Sequence, residues 1–338
     1  MTSFQEKLKQ HIFTNGPIPL EKVMALSNHH YYTHYPVFGA DGDFLTAPEI
    51  SQVFGEILAI WVIVQAKKLK TKTPHIVELG PGRGTLMADI TRVLRIQKNC
   101  HPTIHLVETS KRLITRQHEH LSPSPFPLLW HSDFPLLDGP TIIIANEFFD
   151  ALPVKRYIFK EGQWQEIYLD CEAEQFTYTH KPTPTNNLPV LAEEGAIFEL
   201  SQATLDYARQ LAQLLKRNGG SALIIDYGDY ISTNRFSDTF QALSRHKPVH
   251  PLHHLGEADL TCHVDFARLA AVFHEQELSC SISMQSDFLK AYGFHIRLRK
   301  IIQACTNEAH KEDQRLRGDR LTNPKEMGTL FKVLEVTS

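Results

Sequence analysis

The 338-residue chain contains no C-x-x-C pair. Its five cysteines, Cys100, Cys171, Cys262, Cys280 and Cys305, are odd in number and widely scattered, which argues against a zinc ribbon or a redox dithiol and fits reduced thiols. The longest apolar run, Ile57 to Val64, falls far short of the ~20 residues that span a bilayer, so no membrane span is expected. Met1 to Leu20 holds no apolar core, and no arginine precedes Arg83; neither a secretory signal nor an Arg-rich transit peptide is expected, and a cytoplasmic location is. A dominant charge sign is also lacking: 35 Lys+Arg against 38 Asp+Glu leave −3, without the basic field that holds nucleic acid. Gly 17 and Pro 19 are ordinary numbers and exclude a collagenous or disordered chain. Histidine is abundant, at 19, and turns the net charge positive just below neutrality. His250, His253, His254 and His263 in the His-rich stretch 246–263 have no regular ligand spacing, so an exposed loop is expected there and no metal site.

The length allows two domains or one large domain with insertions. A short amphipathic helix (Phe4, Leu8, Ile12), a turn at Gly16-Pro17 and an aromatic loop from Tyr31 to Gly39 form an accessory arm, too short to own a core. Thr46-Ala47-Pro48-Glu49 has the form of a capping box with proline in the first turn, predicting one helix through Ile50, Val53, Phe54, Ile57, Trp61 and Val64. From Ile76 the pattern changes to short runs apolar on both faces: Ile76–Leu79, Ile104–Glu108, Leu128–Trp130, Ile142–Ala145 and Ala222–Asp226. Buried parallel strands look like this, and their alternation with helical stretches points to an α/β, doubly wound sheet. Between the fourth and fifth runs come a hairpin turning at Glu161-Gly162, a Pro/Thr/Asn-rich loop around Lys181 to Pro189, and a helix from Ser201 to Asn218. A helix with Phe266, Leu269 and Phe273 follows, and Leu330 to Val336 reads as the last strand. The expected division is an N-terminal helical arm at 1–73, a first half of the core at 74–153, an inserted α+β region at 154–200, and a second half at 201–338 with a further loop insertion at 229–260.

Two segments carry chemistry. Glu78-Leu79-Gly80-Pro81-Gly82-Arg83-Gly84-Thr85 joins the first buried strand to a helix. Its G-x-G-x-G spacing departs from the G-x-G-x-x-G of a dinucleotide fingerprint, which weakens a pyrophosphate reading, while the glycines still let backbone pass close to a nucleoside. Glu108 ends the next strand, where a carboxylate accepts from both ribose hydroxyls, and Asp133 past the third strand is placed for an adenine amino group or for capping the following turn. These features suit S-adenosyl-L-methionine, which has a ribose, an adenine and an amino-acid tail but no phosphate; a tight turn with no ligand would use the same glycines. Asn146-Glu147-Phe148-Phe149-Asp150 follows the fourth strand, facing the reactive end of such a cofactor. A guanidinium acceptor, with a pKa above ~12, needs paired carboxylates such as Glu147 and Asp150 to hold its charge. Alternatively Asp150 caps a helix and Phe148 and Phe149 belong to the core.

These segments, with Gly42 to Ser51, Leu106 to Ser110, Ile225-Asp226-Tyr227-Gly228, Ala258 to Phe266 and Met327 to Lys332, together resemble the MidA-like methyltransferase family along essentially the whole chain. Cys262 stands where a small residue such as alanine is expected, and the Tyr31 to Gly39 loop lacks the glycine before its Tyr pair. The resemblance implies a class I methyltransferase fold, a mostly parallel, Rossmann-like sheet of seven strands, and S-adenosyl-L-methionine as donor. It implies for mitochondrial members symmetric dimethylation of an arginine on a protein substrate, a respiratory complex I subunit. The expected site has Glu78, Gly80, Gly82, Gly84, Thr85, Glu108 and Asp133 around the donor, Asn146, Glu147 and Asp150 as catalytic residues, and Tyr32, Thr46, Pro48, Glu49, Phe148 and Phe149 on the substrate wall. The competing readings are an assembly factor that retains the donor pocket, and a methyltransferase for a small nitrogen or oxygen acceptor.

Overall fold

A computed structural model describes residues 3–35, 46–184, 188–189, 192–230, 236, 238–244 and 247–338. The arm comprises α1 (Phe4–Asn15), β1 (Ile18–Pro19), α2 (Leu20–His34), α3 (Ala47–Ile50) and α4 (Gln52–Lys68). The first half of the core runs β2 (His75–Leu79), α5 (Thr85–Leu94), β3 (Thr103–Val107), α6 (Lys111–Leu121), β4 (Leu128–His131) and β5 (Thr141–Asn146). An insertion follows with β6 (Lys155–Lys160), β7 (Gln163–Glu172), β8 (Gln175–Pro182) and β9 (Ile197–Leu200), then α7 (Gln202–Asn218) and β10 (Gly220–Asp229). Strands β11 (Gln241–Ser244), β12 (Lys247–Val249) and β13 (Asp259–Thr261) precede β14 (Val264–Asp265), α8 (Phe266–His274) and β15 (Ser279–Met284). The chain closes with α9 (Gln285–Ala291), α10 (Phe294–Ala304), α11 (Glu308–Thr322), α12 (Met327–Leu330) and β16 (Phe331–Thr337).

The main sheet has the order β15-β16-β10-β5-β2-β3-β4, with β14 beside β10. Where seven strands are expected, the sheet has eight among the described residues, and it is mixed, because β16 runs antiparallel to both β10 and β15. The eighth, β14, is a two-residue strand whose pairing with Gly228 and Asp229 no local pattern announces. Side chains alternate across the pleat: Ile76, Ile142 and Ile144 pack with α4 and α5, whereas Val77, Ile143 and Ala145 pack with α7 and α8. Each fully buried aliphatic side chain contributes ~1.5–3 kcal/mol. The same alternation assigns Glu78 and Asn146 to the α4 and α5 side of the sheet.

The arm shares a core with the insertion instead of standing apart. Leu8, Ile12, Val23 and Met24 bury against Ile167, Leu169, Leu252 and Leu260, and β1 pairs with β7. Ser3 and Glu6 form a true capping box at α1. The expected aromatic loop is helical from Tyr31 to His34, and the ring of Tyr35 stacks on that of Tyr31 at 5.9 Å; its remainder, Pro36 to Gly39, lies outside the described residues.

The capping box expected at Thr46 does not form. The Thr46 side chain makes no capping bond, and helix α3 stops after Ile50. Ser51 starts α4 afresh, its hydroxyl accepting from the Val53 N–H. The physical reason is competition for Glu49, whose carboxylate bonds Thr85 instead of reaching back to the cap.

Candidate active site

The chain leaves β2 for β3 on one side, while β5 lies on the other. Such a reversal leaves a crevice outside the carboxyl ends of the strands. Here it is a cleft walled by Glu78, Gly80, Gly82 and Thr85 on one side, by Thr46, Pro48 and Glu49 of the arm on another, and by Asn146 and Glu147 on a third.

The turn after β2 needs its glycines. Gly80 has φ +62°, and a Cβ there would come within 2.9 Å of the Phe148 ring. Glycine takes this left-handed backbone without steric cost, and it lets Phe148 pack over the turn, edge-on to Tyr207 at 5.1 Å. Glu49 Oε1 accepts from Thr85 Oγ1 at 2.5 Å, and its other oxygen lies 3.5 Å from Arg83, so α3 is fastened across the cleft to the start of α5.

Glu78 is buried, its Oε2 has no hydrogen-bond partner, and burial pushes its carboxyl up to about 8. A buried carboxylate without a partner is costly. A cation bound in the cleft would remove that cost. Glu108 is differently held. Its Oε1 accepts from the Thr109 and Ser110 N–H groups at 2.9 and 2.8 Å, and its Oε2 from Gln117 Nε2 at 3.3 Å. Gln117 also donates to the Gly82 carbonyl and accepts from Trp130 Nε1, thereby linking the glycine turn to the end of β3. Burial raises the Glu108 carboxyl, and these three bonds oppose the rise. Asp133 is exposed, takes a bond from Ser132 Oγ at 3.0 Å, and lies outside the walls of the cleft.

On the third wall Glu147 has φ +51°, a left-handed conformation costing ~1–2 kcal/mol for a residue with a side chain. Its N–H donates to the Ile225 carbonyl at 2.9 Å, which helps hold it there. Glu147 Oε1 accepts from the Ala47 N–H at 3.2 Å and from Asn146 Nδ2 at 3.1 Å, leaving Asn146 Oδ1 buried and unpartnered. Burial first, then the charge of Asp150, pushes the Glu147 carboxyl up to about 7. Asp150 is buried with Oδ1 unpartnered; burial raises it to about 6 against a bond with the Tyr227 phenol.

Beneath this turn lies Asp226, which is fully buried. Its Oδ2 accepts from the N–H groups of Phe149 and Asp150 at 3.0 and 3.2 Å, and its Oδ1 from that of Tyr227 at 2.9 Å. Burial, followed by the charges of Asp150 and Glu147, holds its carboxyl well above the usual range. Phe149 is 2% exposed and packs in the core with Ala208, Leu211 and Phe266; the core alternative is the one realised there, and Phe149 is no part of the cleft wall. Tyr32 approaches from the arm and donates to Asp259 at 3.0 and 3.1 Å.

Of the expected residues, Glu78, Gly80, Gly82 and Thr85, Thr46, Pro48 and Glu49, and Asn146 with Glu147 meet in the cleft, whereas Gly84, which faces Leu121 and Gln117, and Glu108, Asp133, Asp150, Tyr32, Phe148 and Phe149 do not line it. Gln117, Asp226, Tyr227, Asp259 and Asn28 escaped notice as site residues. Asp226 and Tyr227 stand at the end of a buried strand adjacent to β5, a usable signal; Gln117 and Asn28 lie on helices without one.

A family model described as "Putative S-adenosyl-L-methionine-dependent methyltransferase" matches residues 57–284. The chain is 34% identical to the protein arginine methyltransferase NDUFAF7 homolog, mitochondrial, of Drosophila melanogaster, over 98% of this chain and 84% of that one. It is 33% identical to protein arginine methyltransferase NDUFAF7, mitochondrial, of Homo sapiens, over 98% and 82%. Among solved structures, a Burkholderia thailandensis protein bound to S-adenosyl-homocysteine superposes with a TM-score of 0.88 at 25% identity, covering 99% of this chain and 91% of that one. The mitochondrial relatives overturn the cytoplasmic expectation. Scattered reduced thiols and the lack of a long apolar run do not distinguish one reducing compartment from another, so they carried no weight for the cytoplasm.

Proposed function

Because the chain belongs to the family of S-adenosyl-L-methionine-dependent methyltransferases, with S-adenosyl-L-methionine as its donor, we propose that it methylates an arginine side chain of a protein. The finer assignments, symmetric dimethylation and a respiratory complex I subunit as acceptor, follow from the family resemblance and form part of the proposal. The observation that carries the reading is the pairing of an orphaned buried carboxylate, Glu78, with a second acidic group, Glu147 and Asp150, at the adjacent strand end.

The residues present fit the donor. Glu78 Oε2 is a buried acceptor awaiting a cation, as the α-ammonium of the donor is; the backbone from Gly80 to Gly84 gives close approach, with Thr85 opening α5 behind it. Glu108, fixed by three donors, presents its carboxylate to the ribose hydroxyls, and Asp133, exposed beyond the cleft wall, serves the adenine amino group. When bound, S-adenosyl-L-methionine supplies an electrophilic methyl carbon on a sulfonium. On the acceptor side, Glu147 and Asp150 bind the guanidinium, and Asn146, whose Oδ1 lacks a partner, orients it. The guanidinium nitrogen must shed one proton as it gains a methyl group. Glu147 Oε2 takes that proton, since a carboxyl raised to about 7 is matched to proton transfer near neutrality. Phe148 and the arm residues Tyr32, Thr46, Pro48 and Glu49 exclude water from this chamber. In this reading the arm at 1–73 and the insertion at 154–200 select the substrate, while 74–153 and 201–338 supply the catalytic core; the loop insertion expected at 229–260 instead carries β11, β12 and the start of β13.

The test is quantitative mass spectrometry of the proteome with and without this protein. Loss of methyl-arginine at a defined site is expected; an unchanged methyl-arginine inventory would overturn the arginine assignment, and methyl loss confined to metabolites would favour a small acceptor.

A further inference from the structure

Helix α2 carries two polar residues, Asn28 and Tyr32, at a spacing of four, which places them on one helix face. Asn28 is buried, and its side chain is satisfied entirely by backbone of two other segments. Its Nδ2 donates to the carbonyls of Ala151 at 3.1 Å and Leu260 at 2.8 Å, and its Oδ1 accepts from the Leu260 N–H at 3.0 Å. One turn further on, the Tyr32 hydroxyl donates to both oxygens of Asp259, and the Tyr32 carbonyl accepts from Ser110 Oγ at 3.2 Å. The face of α2 is thereby tied to three places: the turn that carries Asp150, the strand that carries Asp259, and the loop that holds Glu108. A further bond, from the Cys262 N–H to the Asp150 carbonyl at 3.0 Å, joins the first two directly. The Tyr32 phenol also senses the charge of Asp150 as well as that of Asp259.

We propose that Asn28 and Tyr32 are positioning residues that brace the acceptor side of the site, fixing the turn that carries Glu147 and Asp150 against the strand that carries Asp259. The proposal rests on the methyltransferase reading above and extends it: a residue of the arm, remote in sequence from every recognisable motif, sets the geometry of the acceptor carboxylates. The chemistry of Asn28 is specific to an amide. An aspartate there has the same size but turns an oxygen towards two carbonyl oxygens, replacing two attractions with repulsions. Because no bond of Asn28 reaches the glycine turn or Glu78, the donor half of the cleft is independent of it.

The experiment compares wild type with Asn28→Asp and Tyr32→Phe. Donor affinity is read by calorimetry with S-adenosyl-L-methionine. Transfer is read with tritiated donor into protein extracted from cells that lack this chain, over a dilution series of extract. Donor affinity is expected to stay within roughly twofold, while the maximal transfer rate falls by at least about tenfold in Asn28→Asp and by about three- to tenfold in Tyr32→Phe. Tyr32→Phe removes a single oxygen and so carries the test if Asn28→Asp does not fold. Transfer at the wild-type rate in a folded variant would overturn the brace, as would a parallel loss of donor affinity, which marks general structural damage. The acceptor reading fails on a separate readout: tritium recovered on a residue other than arginine refutes arginine as acceptor, while the rate loss in the variants still upholds the brace.

Discussion

Glu78 offers the sharpest test of the donor site, because its function should make the empty protein less stable. Its carboxyl ordinarily titrates near 4.5 and is pushed up to about 8 in the fold by burial. Folding therefore takes up a proton between these values, and the stability of the ligand-free protein falls as pH rises through that window. At about 1.4 kcal/mol per pH unit, the span from 4.5 to neutrality corresponds to about 3 kcal/mol at pH 7. Glu78→Gln is neutral at every pH and escapes this cost. The variant is expected to be more stable than wild type by about 1–3 kcal/mol at pH 7, with the difference vanishing towards pH 4.5. In thermal unfolding this is a rise of about 1–4 °C, since a chain of this length unfolds with an entropy equivalent to about 1.4 °C per kcal/mol. The same substitution removes a charged partner from the donor ammonium, a loss of about 1.5–3 kcal/mol, or roughly 10- to 150-fold in donor affinity. Denaturant unfolding at pH 5 and 7 and calorimetric titration with S-adenosyl-L-methionine measure both halves. A Glu78→Gln protein that is less stable at pH 7, or that binds the donor as wild type does, refutes the argument.

Glu147→Gln should leave donor affinity within about twofold while lowering methyl transfer by at least about a hundredfold, the range of a lost general base. With Glu147 at about 7 and Asp150 at about 6, both must be ionised, so wild-type transfer should climb with pH through 6 to 7; a profile flat from pH 5 to 8 would remove both residues from the mechanism. Away from the site, His75, His105 and His131 form one hydrogen-bonded row across β2, β3 and β4, with nitrogen separations of 3.0 and 2.9 Å. Burial, then the charges of His75 and His131, lowers His105 to about 4. Folding thus expels a proton, and the stability present above pH 6.5 is lost as pH falls towards 4, by about 1–2 kcal/mol after allowance for solvent screening. Urea unfolding of wild type and His105→Gln at pH 7 and 5 checks this, since the variant should lack that part of the decline.

Several features were legible locally because their physical cause is local. Strands buried on both faces show as continuous apolar runs, and β2, β3, β5 and β10 each begin and end within a few residues of their run; the run at Leu128–Trp130 also forms a strand, β4, but at the sheet edge, where Leu129 is exposed. The glycine turn was visible because only glycine tolerates the backbone of Gly80, and Glu108 and Asn146-Glu147 were visible because, in a doubly wound sheet, polar residues at strand carboxyl ends face the crevice.

Other features depend on partners that no window of sequence contains. Glu49 had the spacing of a capping box, yet its oxygen goes to Thr85, 36 residues away, and with it the expected single helix divides into α3 and α4. Asp226 holds the Phe149 and Asp150 amides across 77 residues, and Asn28 reaches Leu260 across 232. The sequence by itself determined the α/β core, the glycine turn after its first strand and the ends of the strands that face it, through periodicity and backbone sterics that act within a few residues. Only the tertiary structure decided which buried carboxylates lie together, which of them lack partners, and that the arm bonds the turn that carries Asp150, because desolvation and side-chain pairing exist only once distant segments have packed together.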